Sequence, residues 1–500
     1  MHKLKSNNKI IFICSYYLPF SLKPGIGFLR GFLESKGIKS DVVDFNKIIH
    51  DLENEKMFGE LKLYFKKCIN KKRHNKDLSV NSYSFFELEY YFISHCPEKI
   101  WEAVDRMKFL YPIFERHLKP FLGLEFLAFS LNTRLQLLFS LSLAKWAKEK
   151  LNESIKIVMG GSTILDNHQD LITLFKENFI IDYLIMGEGE TPLYRLLKKD
   201  KLNEVPNLIY HEDGLYKYSK NLNNHEDIRI LPTPIYDPGD NPCIQTSRSC
   251  YWHKCSFCIA RHVKKQKFVV RSPKKVVSDI KTINKRLGNN ELRYYFCDEA
   301  LTKSFITNFS HLILENNFNN KYSTFMRPEN WLNKESLELF KRAGFSGLFF
   351  GLETTNKRLS KLLNKGIEIK HAINIVKIAS KLKYGAVQVC FIIGIPTETK
   401  EEILQDFEMI HYFLSEYKNI VIRLYPFRVR ITSDFYYYPD KYNISILQDK
   451  KAFMSSVVPF KQLNEDAVST HNSYELFKNF YNKLNTDMQS RLFFDDYIAI

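Results

Sequence analysis

The sequence predicts an α/β protein: an N-terminal Rossmann-like parallel sheet, then a partial (β/α)6 barrel of the TIM type, then a mainly helical C-terminal region. Two observations carry this expectation. Short apolar runs of strand length alternate with helix-period segments, first through residues 1–200 and again through 241–430. Between the two series, residues 201–240 carry Pro206, Gly214, Pro232, Pro234 and Pro238 and read as a linker.

In the first series Lys9 to Cys14 is a short buried strand. Pro24-Gly25 makes a turn, a helix runs through Phe28-Leu29 to Lys36, and Gly37 ends it. Ser40 to Phe45, Glu125 to Ser130, Ile155 to Met159 and Tyr183 to Met186 are the strands that follow. Asn132-Thr133 caps a long amphipathic helix from Arg134 to Leu151. Residues 50–120, polar, aromatic and helical in pattern, form a helical insertion that interrupts the sheet, the plainer alternative being that they only cover its face. The second series has strands at Cys243 to Ser247, Leu292 to Phe296, Tyr322 to Met326, Gly347 to Phe350, Val387 to Ile393 and Ile420 to Tyr425. Strand–helix units of this kind close round a site at the carboxyl ends of the strands. Residues 431–500 hold little strand pattern.

With 500 residues, 45% of them apolar, the chain can bury more than one core, at about 100–200 residues per domain. Near the start, Ile10-Ile11-Phe12-Ile13 is too short for a secretory signal and soon meets Tyr16, Tyr17 and Pro19. The greasiest stretch, Phe121 to Ala147, contains Glu125, Asn132, Arg134, Gln136 and Lys145, whereas a membrane span needs about 20 mostly apolar residues. A cytoplasmic chain with no membrane span is expected. Lysine and arginine outnumber acids 73 to 56, but lysine is spread throughout. The densest basic runs, Lys66 to Lys76 and Arg261 to Lys275, read as solvated faces, so a nucleic-acid partner is disfavoured.

Cysteine is the informative residue. Six of nine (Cys14, Cys68, Cys96, Cys243, Cys297 and Cys390) are scattered, and Cys250, Cys255 and Cys258 cluster as C-x4-C-x2-C directly after a strand. Without an export signal such clustering favours metal over disulfide. Thiolates suit iron or zinc. Zinc prefers four closed protein ligands and an electron-transfer cluster four cysteines, so three cysteines leave one coordination position open. His253 is the residue that would complete a structural zinc knuckle instead.

Over about residues 240–430 the chain resembles the radical SAM superfamily, with one residue more than the family's usual C-x3-C-x2-C. The resemblance implies a 4Fe-4S cluster on the three cysteines. It also implies reductive cleavage of S-adenosyl-L-methionine (SAM) to a 5′-deoxyadenosyl radical, acute oxygen sensitivity, and an electron donor such as flavodoxin or ferredoxin. It places Phe257 against the adenine, and Asp298 and Glu299 on the SAM amino group. Arg327 would take the SAM carboxylate, Glu353 the ribose hydroxyls or other polar groups, and the backbone of Gly394, Ile395 and Pro396 would flank the adenine. The run from Ala343-Gly344-Phe345 through Gly351-Leu352-Glu353 to Lys365-Gly366 belongs to the same resemblance.

Residues 1–200 resemble the cobalamin (B12)-binding domain that precedes many radical SAM barrels. The likeness lies in four strand-end loops: Pro24-Gly25, Ser130 with Asn132-Thr133, Gly160-Gly161-Ser162, and Gly187-Glu188-Gly189-Glu190. Glycines there let a flat macrocycle approach the backbone. No D-x-H-x-x-G sequence follows the first strand, so the resemblance supplies no axial histidine.

The reading that follows is a cobalamin-dependent radical SAM enzyme, with carbon methylation the commonest outcome in that branch. Its alternatives are radical rearrangement or cyclisation without cobalamin, an RNA methylthiotransferase using Cys14, Cys68 and Cys96 for a second cluster, and a non-catalytic cobalamin- or metal-binding sensor. The substrate, small molecule or peptide, is not specified by the sequence.

Overall fold

A computed structural model describes residues 9–16, 23–51, 57–72, 84–121, 123–222, 225–259, 268–448 and 451–494. The basic stretches 73–76 and 261–267 lie outside them. The chain forms two compact units, one of residues 1–227, 231–235 and 452–456, the other of 228–230, 236–451 and 457–500.

The first unit is built on a seven-stranded sheet. Its strands are β1 (Ile10–Cys14), β2 (Asp41–Asp44), β3 (Phe126–Ser130), β4 (Lys156–Gly160), β5 (Tyr183–Ile185), β6 (Leu208–Glu212) and β7 (Leu215–Tyr218), in the spatial order β2-β1-β3-β4-β5-β6-β7. The five expected strands are parallel, and β6 and β7 add to the edge antiparallel. Part of the expected linker is therefore sheet. Asp213-Gly214 takes a left-handed backbone at both positions, φ +54° and +74°, which suits a two-residue hairpin turn.

Residues alternate across this sheet, as the strand period requires. Ile10, Phe12, Phe126 and Ala128 pack with Ile26, Leu33 and Leu193 of the helices Pro24–Ser35 and Glu190–Leu197. Ile11, Ile13, Leu127 and Phe129 pack on the other face with the insertion, whose helices are Gly59–Lys72, Phe85–His95, Ile100–Arg106 and Tyr111–Leu118. The Phe65 and Phe92 rings stack at 4.4 Å between two of those helices. The segment expected as one amphipathic helix begins as a 3₁₀ turn, Arg134–Gln136, capped by Thr133, and continues as the helix Leu137–Trp146. Nine of that helix's ten residues are buried, so it is a core helix with no polar face.

The second unit carries another seven-stranded sheet, parallel throughout. Its strands run from β8 (Cys243–Ile244) through β11 (Arg293–Phe296), β12 (Lys321–Met326), β13 (Phe345–Glu353) and β14 (Ala386–Ile393) to β15 (Ile420–Pro426), in sequential spatial order. The short pair β9 (Ser247–Arg248) and β10 (Val269–Val270) stands apart and is antiparallel. Helices with side-chain N-caps connect the strands, among them Pro273–Leu287 capped by Ser272 and Lys400–Glu416 capped by Thr399. One sheet face carries Phe296 and Tyr322 against Phe309, and the other carries Tyr295 against Phe325 and Phe349.

The C-terminal region adds short strands to the helices expected of it. It holds β16 (Val429–Arg430), β17 (Ile444–Ile446), β18 (Val457–Val458) and β19 (Phe460–Gln462), paired antiparallel as β16–β18 and β17–β19. Its last strand, β20 (Leu492–Phe494), joins β15 in parallel and makes the seventh member of the sheet where six were expected. Helices Thr470–Tyr481 and Thr486–Ser490 supply the rest.

Candidate active site

A cavity of about 350 Å³ opens at the carboxyl ends of the second sheet. Cys250, Cys255 and Cys258 line it together with Phe257, Glu299, Arg327, Glu353 and Lys365. Residues separated by more than a hundred positions thus converge at the edge where parallel sheets bind ligands.

The cysteine loop is held on several sides. The Asp298 carboxylate accepts the backbone N–H of Thr246 at 3.0 Å, and the N–H and hydroxyl of Ser247 at 2.6 Å each. Two strand-end N–H groups of a buried segment therefore have their acceptor. Asp298, expected on the SAM amino group, is buried, is not among the cavity-lining residues, and holds the loop through these hydrogen bonds. Burial raises its carboxyl to about 6, against the pull of those hydrogen bonds. Glu299, the next residue, does line the cavity.

Within the loop Ser249 and His253 have φ of +68° and +52°, and Ser249 Oγ lies 3.1 Å from His253 Nδ1. His253 is thus tied inside the loop and does not line the cavity. Trp252 Nε1 donates to Asn364 O at 2.9 Å, and Ser256 N donates to Leu363 O at 2.9 Å. A β-carbon on Gly366 would lie 1.9 Å from Trp252 Cζ2, so the indole lies flush on a backbone with no side chain. The Arg327 guanidinium covers the indole at 4.5 Å and brings Nη1 to 3.8 Å from Cys255 Sγ.

Arg327 lines the cavity as expected, but it is already engaged. Its Nε donates to Glu329 at 2.9 Å and its Nη2 to the Lys365 carbonyl at 2.5 Å. Glu353 also lines the cavity and pairs with Lys365 Nζ at 2.7 Å, both side chains being about nine-tenths buried. A register shift between β13 and β14 and a φ of +69° at Glu353 turn that carboxylate inward. Gly351 makes the pair possible: its β-carbon would fall 2.5 Å from Glu353 Oε1 and 2.7 Å from Lys365 Nζ. Burial pushes the Cys255 thiol up, while Lys365 and Arg327 pull it down.

Gly394, Ile395 and Pro396 do not line the cavity, although Ile392 just before them does. Gly394 N and Ile395 N both donate to the buried Glu398 carboxylate, at 2.5 and 3.0 Å. That backbone is bound to its own helix start. Lys365, Cys390, Tyr425, Arg428 and Arg430 line the cavity without having been singled out as ligands by sequence. Only Lys365, beside Gly366 in the strand-end run, carries a signal in the sequence.

Among the described residues no three His, Cys, Asp or Glu side chains converge on one metal ion. The three thiols instead share the wall of a cavity, as a multi-iron cluster with one cysteine per iron requires. The donor set fits that cluster: Cys250, Cys255 and Cys258 would hold it, and three ligands would leave one iron open to a further ligand.

In the first unit the strand order β2-β1-β3-β4-β5 places the topological switch between β1 and β3. The four strand-end loops meet at that edge. Ser130 Oγ would touch a Gly25 β-carbon at 3.6 Å, and Leu131 N donates to Gly160 O at 2.8 Å. Ser162 Oγ donates to Asn132 O at 3.5 Å, and Gly189 packs on Leu29. Gly161, at φ +103°, passes so close to Leu131 that a β-carbon would lie 2.3 Å from its carbonyl. Gly187, at φ +83°, has no heavy atom within 4 Å of its missing β-carbon. The N–H groups of Asn132 and Thr133 are taken by Gln136 Oε1, and Pro24 opens the helix Pro24–Ser35. Glu190 is buried, and the Glu188 carboxylate accepts the N–H of Glu226. The Glu188 carboxylate thus ties its loop to the backbone at Glu226.

Comparison with known proteins agrees with this geometry. An uncharacterized methyltransferase of Pyrococcus horikoshii is 26% identical over 276 residues, covering 52% of this chain and 59% of the relative. The hopanoid C-3 methylase of Methylococcus capsulatus is 24% identical over 313 residues, covering 59% of this chain and 56% of that protein. The chain thus spans about 60% of the length of the curated relatives it matches. In fold it is similar to the radical SAM methyltransferase TsrM of Kitasatospora setae, with a TM-score of 0.64, 12% identity, and coverage of 99% of this chain and 92% of that one. It is also similar to the cobalamin-dependent SAM radical enzyme OxsB, with a TM-score of 0.55, 16% identity, and coverage of 97% and 64%. Residues 244–410, the part of the chain that carries the three cysteines on a strand-end cavity, match the family model of the radical SAM superfamily.

Proposed function

We propose that the protein is a cobalamin-dependent radical SAM enzyme that methylates carbon. The observation that carries the reading is the single cavity shared by Cys250, Cys255, Cys258, Phe257, Arg327 and Glu353. The cluster and SAM supply reductive carbon–sulfur cleavage there and a 5′-deoxyadenosyl radical. The chain's own part is to hold and orient. Arg327 and Lys365 set positive charge beside the thiolates, Glu353 presents a fixed acceptor, and Phe257 offers a flat apolar face. An electron donor such as flavodoxin or ferredoxin belongs to this reading, as does a cytoplasmic setting. Among the described residues no helix is long and apolar enough to cross a membrane.

The cobalamin half rests on the switch-point edge of the first unit, its close-approach glycines, and fold similarity to TsrM and OxsB, both described with cobalamin. The residues proposed to face it are Pro24, Gly25, Ser130, Asn132, Thr133, Gly160, Gly161, Ser162, Gly187, Glu188, Gly189 and Glu190. The methylase relatives favour methyl transfer as the outcome.

A match to a tRNA methylthio-synthase of Buchnera aphidicola, 25% identical, raises the alternative of a second cluster on Cys14, Cys68 and Cys96. Cys14 packs on one face of the first sheet and Cys96 and Cys68 on the other, so the three do not converge.

The test is anaerobic reconstitution with iron, sulfide and hydroxocobalamin, followed by desalting and metal analysis. One cobalt per chain with about four irons is expected. Iron at that level without cobalt removes the cobalamin half, and about eight irons restores the second cluster.

A further inference from the structure

The wall of the cavity formed by the end of β15 and by β16 carries a cation that has no partner among the described residues. Arg428 and Arg430 line it beside Tyr425 and Phe427. The Arg430 backbone is fixed twice: it pairs with Val457 across β16 and β18, and its carbonyl accepts the Ser433 N–H and hydroxyl at 2.9 and 2.8 Å. Val429, one residue back, is fully buried in the apolar cluster with Phe427, Phe435 and Val458. Strand alternation therefore sends Arg430 to the opposite side, into the cavity.

The other cations of the cavity are engaged. Lys365 is paired with Glu353, and Arg327 with Glu329 and a backbone carbonyl. The Arg430 guanidinium makes no hydrogen bond, ion pair or ring contact among the described residues. SAM does not call for an additional cation, because its sulfonium and ammonium outweigh its one carboxylate. A half-buried guanidinium with a fixed backbone and no partner among the described residues is suited to a bidentate anion.

We propose that Arg430 seats an anionic group of the substrate, a carboxylate or a phosphate, whose apolar body lies along Tyr425, Phe325 and Ile392. This rests on the radical SAM reading of the cavity and names the substrate class for it.

The test uses the full chain with its cluster reconstituted and SAM present, and takes benzoate, phenyl phosphate and neutral benzamide as probes. Titration calorimetry reads each probe, and iron content with SAM affinity is read on the same samples. Saturable binding of benzoate or phenyl phosphate is expected, with benzamide at least about tenfold weaker. Which of the two anions binds distinguishes carboxylate from phosphate. Arg430→Ala should weaken the anion about tenfold more than it weakens SAM, and Arg430→Lys should restore part of the loss, showing that folding is not at fault. Equal binding of benzamide, or no saturable binding of either anion, overturns the proposal. Equal losses of SAM and anion in Arg430→Ala would assign the residue to SAM and also overturn it. Absence of iron and of SAM binding in the unsubstituted protein would defeat the radical SAM reading instead.

Discussion

Cys255→Ala is expected to reduce bound iron from about four per chain to background and to abolish SAM cleavage. On the proposed reading each of the three cysteines would supply one iron's protein ligand, and among the described residues no other thiol is placed to take over. Cys390 is the other cysteine lining it, but it lies on β14, its sulfur accepts the Gln388 side-chain N–H at 3.6 Å, and burial pushes its thiol to about 12. Cys255 also has the Arg327 guanidinium at 3.8 Å, so its loss removes the thiolate that this cation faces. The comparison variant is Cys68→Ala, on the helix Gly59–Lys72 of the insertion, which should keep full iron. Iron and sulfide analysis with the visible spectrum reads both. Full iron in Cys255→Ala would mean that the cluster is not held by this triad.

The second large effect concerns a residue that touches no ligand. Gly366→Ala places a β-carbon 1.9 Å from Trp252 Cζ2 and 2.2 Å from Cη2. The ring cannot simply retreat, since its Nε1 is bonded to Asn364 O and its face is covered by Arg327. Overpacking of this kind costs about 1–3 kcal/mol, and the φ of +67° adds about 1 kcal/mol for any residue with a side chain. Because Trp252 lies between Cys250 and Cys255 in sequence, the displaced ring carries the cysteine loop with it, and iron retention should fall together with stability. Gly288→Ala separates the two contributions. Gly288 has φ +62° at the end of the helix Pro273–Leu287, and its missing β-carbon meets nothing within 4 Å. It should show only the cost of about 1 kcal/mol, with iron unchanged. Equal behaviour of the two variants in chemical denaturation and iron analysis would show that the Trp252 seat is unimportant.

What the sequence makes legible follows from how local each signal is. The cysteine triad and Phe257 are close in sequence and arrive at the cavity together. The strands of both sheets are readable because their apolar runs are continuous, and the two sheets show them where the periodicity places them. The hairpin β6–β7 carries a signal of its own, Asp213-Gly214 between apolar runs, which the nearby prolines overshadow. β20 carries none: three residues at the far end of the chain become a strand only because the edge of β15 is open to them.

The site residues divide in the same way. That an acid or an arginine stands at a strand end is visible, but the direction of its side chain depends on register and on which backbone groups lack partners. Asp298 turns to the N–H groups of Thr246 and Ser247, and Glu299 turns to the cavity. Glu353 reaches the cavity through a bulge, and its Lys365 partner comes from beyond the next helix. Gly394 and Ile395 spend their N–H groups on Glu398, a buried carboxylate whose role appears only once the loop is folded. Arg430 is one basic residue among many until β16 pairs with β18 and fixes it at the cavity.

The most direct measurement is anaerobic incubation of the iron-reconstituted chain with SAM and dithionite, followed by chromatography of the products. 5′-Deoxyadenosine and methionine, formed only with reductant and absent from Cys255→Ala, are the expected result. Intact SAM with full iron loading, or a protein that takes up zinc and no iron, would contradict the assignment of this cavity to radical SAM chemistry.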